Sequence, residues 1–101
     1  MTDTATIPLA DMPLVDLIAA RLRDALSPAR LTVTNDSHHH AGHMGDDGTG
    51  ETHFSVDIVA DAFTGQSRVA RQRLVNRALA DLLATRIHAL AIRARAPGEG
   101  D

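Results

Sequence analysis

Apolar positions along the chain switch between two spacings, and the switches mark out its elements. Leu14, Ile18, Leu22 and Ala25 recur every three or four residues, with Leu26 beside them and Arg21, Arg23 and Asp24 on the other side. That spacing predicts an amphipathic helix. Asp11 offers it an N-cap, Pro13 is tolerated in its first turn, and Pro28 after Ser27 ends it. Leu31 and Val33 then alternate with Arg30, Thr32 and Thr34, which predicts a short, half-buried strand. Residues 51–60 alternate again, with Phe54, Val56 and Ile58 on one face and His53, Ser55 and Asp57 on the other. The run from Phe63 to Ser67 reads as a turn, and Ser67 is placed to cap a long helix. Arg71, Leu74, Val75, Ala78, Leu79 and Leu82 form that helix's inward stripe. Arg68, Arg73 and Arg77 point outward, with Arg77 one turn from Asp81. Residues 87–94 close the series as an apolar strand, with His88, Leu90 and Ile92 on one face and Ala89, Ala91 and Arg93 on the other.

The order is therefore helix, strand, strand, turn or short helix, long helix, strand. The first two strands pair antiparallel, and the last, arriving from a helix, can lie parallel to a neighbour. This is an α+β fold with a three-stranded mixed sheet and helices on one face. Residues 1–10 and 98–101 read as flexible tails around one domain at 11–97. Between the first two strands, residues 35–50 have no apolar period and are rich in His, Gly and Asp. A loop that long in so small a domain is usually functional or disordered.

Composition narrows the chemistry. Of the 101 residues, 44% are hydrophobic but only 2% aromatic, so the core must be built from Leu, Val, Ile and Ala around two Phe. Cysteine is absent, which removes disulfides, thiolate catalysis and Cys-based metal ligation from this chain's own repertoire. All ten basic residues are Arg, and the net charge is -3, so the chain as a whole does not attract nucleic acid over distance. The first residues, MTDTATIPLADMP, are acidic without a basic n-region, and no apolar run approaches a membrane span. The expectation is a soluble, cytoplasmic chain without a membrane role, monomeric or weakly dimeric when free.

The candidate chemistry lies in the histidines. His38, His39, His40, His43 and His53 fall within sixteen positions, and His88 opens the last strand. Imidazole is a borderline ligand suited to Zn, Cu, Fe and Ni. Adjacent histidines in a loop can equally be a solvated polar segment, and a strand histidine can be a half-buried residue bonded to backbone. If loop and strand histidines converge, two ligands from one chain leave coordination positions for a second molecule.

The run Asn35-Asp36-Ser37-His38-His39-His40-Ala41-Gly42-His43, with Glu51-Thr52-His53-Phe54-Ser55-Val56, resembles the loop and second strand of the BolA family. Phe63-Thr64-Gly65-Gln66-Ser67-Arg68-Val69 and Arg71-Gln72-Arg73-Leu74-Val75 are similar to its turn and long helix, and Ile87-His88-Ala89-Leu90-Ala91-Ile92 to its closing strand. The motifs come in the family's order across residues 14–97. The resemblance implies a class II KH-like fold, α-β-β-α-α-β. It also implies an adaptor in iron–sulfur cluster trafficking or iron-status signalling, partnered by a monothiol glutaredoxin. The implied cofactor is a [2Fe-2S] cluster bridged between the two proteins, with none bound by this chain alone. The glutaredoxin supplies a Cys and its bound glutathione another thiolate. On this chain the closing-strand ligand matches His88 and the loop ligand matches His40, with His38, His39 and His43 as alternates. The sequence departs from the family at Gln72, where a His usually precedes the Arg, and in the long acidic, Gly-rich stretch 44–50.

Two other function classes compete. The family is also linked to transcriptional control of stress response and cell shape, and Arg68, Arg71, Arg73, Arg77, Arg93 and Arg95 could contact DNA phosphates. The same arginines could instead dock an acidic patch on a glutaredoxin. The turn carries one Gly65 rather than the GxxG clamp of RNA-binding KH domains. Catalysis is not expected. There is no Gly-rich phosphate loop, and Ser37 beside His38 lacks an orienting partner on a rigid element.

Overall fold

A computed structural model describes residues 12–36 and 52–99. Helix α1 spans Leu14–Leu26, and strand β1 spans Arg30–Asn35. Strand β2 covers His53–Val59 and leads through a 3-10 turn, Asp61–Phe63, into α2, Arg68–Ala78. Helix α3, Ala80–Thr85, and strand β3, Ala89–Arg95, complete the order. The sheet runs β1-β2-β3 with β2 in the middle, antiparallel to β1 and parallel to β3. The expected α+β fold and mixed three-stranded sheet are both present. No helix among the described residues is long and apolar enough to cross a membrane.

Alternation decides which face of the sheet is covered. Phe54, Val56 and Ile58 of β2 are buried, while Leu31 and Val33 of β1 and Leu90, Ile92 and Ala94 of β3 pack against the same core. His53, Ser55 and Asp57 lie on the open face, as period-two alternation requires. Helix α1 buries Leu14, Leu17, Ile18 and Leu22 on this core. Leu17 thus takes the place expected of Ala25, which is exposed. The stripe Leu14-Leu17-Ile18-Leu22 keeps three- and four-residue steps, whereas Ala25 lies on the last turn, just before Ser27 turns left-handed at φ 44°. Pro13, not Asp11, occupies the N-cap, and it gives no side-chain cap; Asp11 lies outside the described residues.

The expected long helix is divided. Leu79 leaves helical geometry at φ -109°, ψ 13°, and its N–H is shared between the carbonyls of Val75 and Asn76. Neither Leu79 nor its Ala neighbours disfavour a helix, so the break belongs to packing, with Val75, Leu79 and Leu82 all sunk in the core. Asp81 does not pair along the helix with Arg77. It accepts from Arg21 of α1 at 2.7 Å and so ties α3 to α1. Ser67 caps α2 as expected, accepting from Ala70 N at 3.0 Å. Before it, Gln66 N bonds to Phe63 O at 3.0 Å around Thr64 and Gly65. Gly65 sits at φ +75°, the value a type II turn requires at its third residue. Nothing lies within 4 Å of a Cβ built there, so backbone conformation and not space calls for glycine.

Candidate functional site

The two parallel strands begin at one rim of the sheet, and that rim carries histidine. The carbonyl of Thr52 accepts from His88 N at 2.8 Å and from Ala89 N at 3.2 Å, which fixes the start of β3 beside the start of β2. The register continues with His53 against Ala89. His53 and His88 therefore come side by side, with ring centroids 5.2 Å apart and planes tilted by 45°. His88 is exposed and His53 half-buried. Thr52, 4% exposed, places its hydroxyl 2.8 Å from His53 Nδ1.

The loop histidines expected as ligands, His38, His39, His40 and His43, lie outside the described residues. The segment that carries them leaves the sheet at Asp36 and rejoins it at Thr52. Asp36 N donates to His53 O at 2.7 Å, so both ends of that segment meet the histidine rim. Ser55 Oγ also donates to the Asp36 carboxylate. A recess of about 260 Å³, lined in part by Asp36, His53 and Ala89, lies beside the pair.

His88 is exposed at the open rim, with its backbone N–H held by Thr52 O at 2.8 Å. In the sequence His53 stands out only as part of a histidine-rich run and as an outward-facing strand residue. What marks it is its place opposite the last strand, and that depends on strand order, which alternation alone does not supply. Chemically, imidazole is a borderline donor of the kind that suits zinc, copper, iron or nickel.

The arginines do not form one surface. Arg68 and Arg71 of α2 and Arg93 of β3 line a groove of about 400 Å³ together with Gln66, Gln72 and Glu99. Arg73 and Arg77 are exposed but do not line it. Arg71 and Arg95 are held by carboxylates of the same chain. Arg71 grips Glu99 through both nitrogens, at 2.6 and 2.8 Å, and donates to Ala94 O at 3.2 Å and Gln66 O at 2.9 Å. Glu99 Oε1 also accepts from Ala96 N at 3.0 Å. These bonds, the guanidinium first and the Ala96 amide second, pull the Glu99 carboxyl down to about 2. The last residues are thus tied to α2 as far as Glu99 and are not the loose tail expected from 98 onward. Arg95, half-buried, donates to Asp57 at 2.8 Å on the open face of the sheet. Arg71 and Arg95 are thus each engaged by a carboxylate of the same chain.

Comparison with known proteins agrees with the fold and the motifs. Residues 22–99 match the family described as BolA-like protein. An uncharacterised protein of a Sinorhizobium species is 51% identical over 87% of this chain and 96% of its own length. The mouse BolA-like protein 1 is 44% identical over 86% of this chain, which spans 61% of that protein. A Vibrio cholerae protein described as the DNA-binding transcriptional regulator BolA is 47% identical over 76% of this chain and 69% of its own length. The solved structure of BolA1 from Arabidopsis thaliana superposes with a TM-score of 0.76 at 38% identity, covering 86% of this chain and 95% of that one.

Proposed function

The chain belongs to the BolA-like family, and from that premise we propose that it is an adaptor sharing a [2Fe-2S] cluster with a monothiol glutaredoxin. The observation that carries this reading is the exposed His88, standing at the rim where a four-histidine segment leaves and rejoins the sheet. His88 and His40 would hold one iron, with His38, His39 and His43 as substitutes for His40. The glutaredoxin Cys and its glutathione thiolate would hold the other. The absence of cysteine in this chain fits that division, because every thiolate then comes from the partner.

When bound, such a cluster supplies an electron-accepting centre whose potential two imidazoles raise relative to thiolates. The chain's own part is to present neutral imidazole at a fixed rim and leave space for a second protein. Protonated imidazole does not ligate, so acid weakens the complex. The role is holding and handing over, without turnover by this chain, in the cytoplasm.

Co-expression with a monothiol glutaredoxin tests the reading. A heterodimer should purify with a visible spectrum different from that of the glutaredoxin homodimer. His40→Ala and His88→Ala should each change the spectrum or shorten cluster lifetime. Parent spectra in both variants would remove the assignment.

A second reading is DNA binding, favoured by the groove between α2 and β3 and by the name of the Vibrio cholerae relative. Arg68 and Arg93 would then bind phosphate. Removing either arginine should flatten the salt dependence of binding by about one unit of slope. A gel shift run at several salt concentrations on Arg68→Ala and Arg93→Ala separates this from glutaredoxin docking, which needs no nucleic acid.

A further inference from the structure

The two outer strands of the sheet do not present equal edges. Along β3, Arg68, Arg71 and Gln72 of α2 stand beside Ile92 and Ala94, and Arg71 donates to the Ala94 carbonyl at 3.2 Å. The other edge is β1, and among the described residues no strand but β2 pairs with it. Asp36 N donates to His53 O at 2.7 Å, one step beyond the register pair Asn35 and Phe54. Antiparallel alternation then turns the amides of Thr34 and Thr32 towards β2 and those of Val33 and Leu31 outward. The side chains of Leu31 and Val33 lie on the core face and are only half-buried, while Arg30, Thr32 and Thr34 are exposed on the open face.

This edge is complementary to a second copy of itself. When two β1 strands run antiparallel with the two-fold axis at Val33, Thr32 faces Thr34 of the second copy and Arg30 faces its Asp36. The outward amides fall opposite one another, so Val33 exchanges both backbone bonds with Val33 of the second copy. The even-numbered residues form the non-hydrogen-bonded pairs, in which side chains come closest. Opposite charges thus meet at both ends of the pairing, on the open face of the sheet. The Asp36 carboxylate is held on that face, where its Oδ2 accepts from Ser55 Oγ, and a carboxylate can accept further bonds. Arg23 shares with Arg30 and Leu31 a hollow of about 420 Å³ at the start of β1, adding positive charge where the second carboxylate arrives. Moving the axis to Thr32 or Thr34 separates Arg30 from Asp36, so charge selects one register.

We propose that β1 is a self-association edge, through which two copies of this chain pair antiparallel about Val33 into one continuous sheet. Strand addition of this kind takes its affinity from main-chain bonds and its specificity from side chains. The edge is short, so the dimer forms at high concentration and dissociates on dilution. The inference does not rest on the cluster reading, since it needs neither glutaredoxin nor any histidine.

Sedimentation equilibrium of the full-length chain at low salt should show a monomer–dimer equilibrium, with EDTA present to exclude metal bridging between histidines. Arg30→Asp and Asp36→Arg should each weaken self-association at least tenfold, because like charges then face each other at both ends. Mixed one to one, the two variants should form a heterodimer of near-parent affinity, since every facing pair is again of opposite sign. Val33→Pro removes the outward N–H on the axis and none of those paired with β2, and should abolish the dimer. Amide spectra report folding, and the mixing experiment stands by itself should Val33→Pro fail to fold. In the parent chain, raising the concentration should shift the Leu31 and Val33 amides and leave those of Leu90 and Ile92 in place. A chain still monomeric at millimolar concentration, a dimer indifferent to both charge variants, or variants that do not pair on mixing overturns the proposal. Shifts confined to β3 overturn it too, and assign self-association to the other edge.

Discussion

The two ends of the sheet differ in how their polar side chains are satisfied. At the end where β2 and β3 finish, Arg71 grips Glu99 and the Ala94 carbonyl, and Arg95 pairs with Asp57. At the end where the same strands begin, backbone bonds from Thr52 align two imidazoles, one of them exposed. The first end uses its charges to close the fold. The second holds its strands through the Thr52 carbonyl and sets two imidazoles at the rim. Charge density along a sequence therefore does not say which charges the fold will pair. Arg71 and Arg95, two of the arginines expected to form a docking surface, are held by carboxylates of the same chain, whereas His53, read in the sequence only as one of a histidine-rich run, sits beside His88.

Substitutions should separate the two ends. Ile58→Ala removes a fully buried side chain from the strand that serves both, and should cost about 2–5 kcal/mol. Urea unfolding should show that destabilisation, with rim and closed end failing together; independent melting of the two would break the comparison. His88→Ala should abolish or destabilise the cluster in the glutaredoxin complex while stability of the chain alone stays within about 0.5 kcal/mol, as expected of an exposed site. Visible spectra of the complex and urea melts of the free chain measure the two sides of that statement.

Glu99→Gln should act in the opposite sense, lowering the thermal midpoint modestly and leaving the spectrum of the complex unchanged. Its pH dependence carries a sign. The Glu99 carboxyl is lowered from 4.5 to about 2 in the folded chain, so the unfolded chain binds the proton first. The stabilisation is complete above 4.5 and is lost as pH falls towards 2, a window that Glu99→Gln should erase from the pH–stability profile.

Much of the fold is legible in the sequence because its signals are local. Alternation in Leu31 to Val33 and Phe54 to Ile58 sets the strands and their inner faces, and Ser67 marks the start of α2. Expectation and structure part where a residue's partner is distant in sequence. Asp81 lies four positions after Arg77, yet it takes Arg21, sixty positions away on α1. Glu99 reads as a tail residue because its partner, Arg71, precedes it by 28 positions. The division of one expected helix at Leu79 has no counterpart in residue preference.

By itself the sequence determined which faces are apolar, which turns are possible, that no thiolate can come from this chain, and that histidine is the available ligand. Period and side-chain chemistry suffice for that, since each acts within a few residues. The tertiary structure alone decided which polar groups meet. Parallel pairing of β2 with β3 sets His53 beside His88, and the end of β3 delivers Glu99 to Arg71. Such meetings depend on strand order and register, which are fixed by burial of the whole core and not by any segment of it.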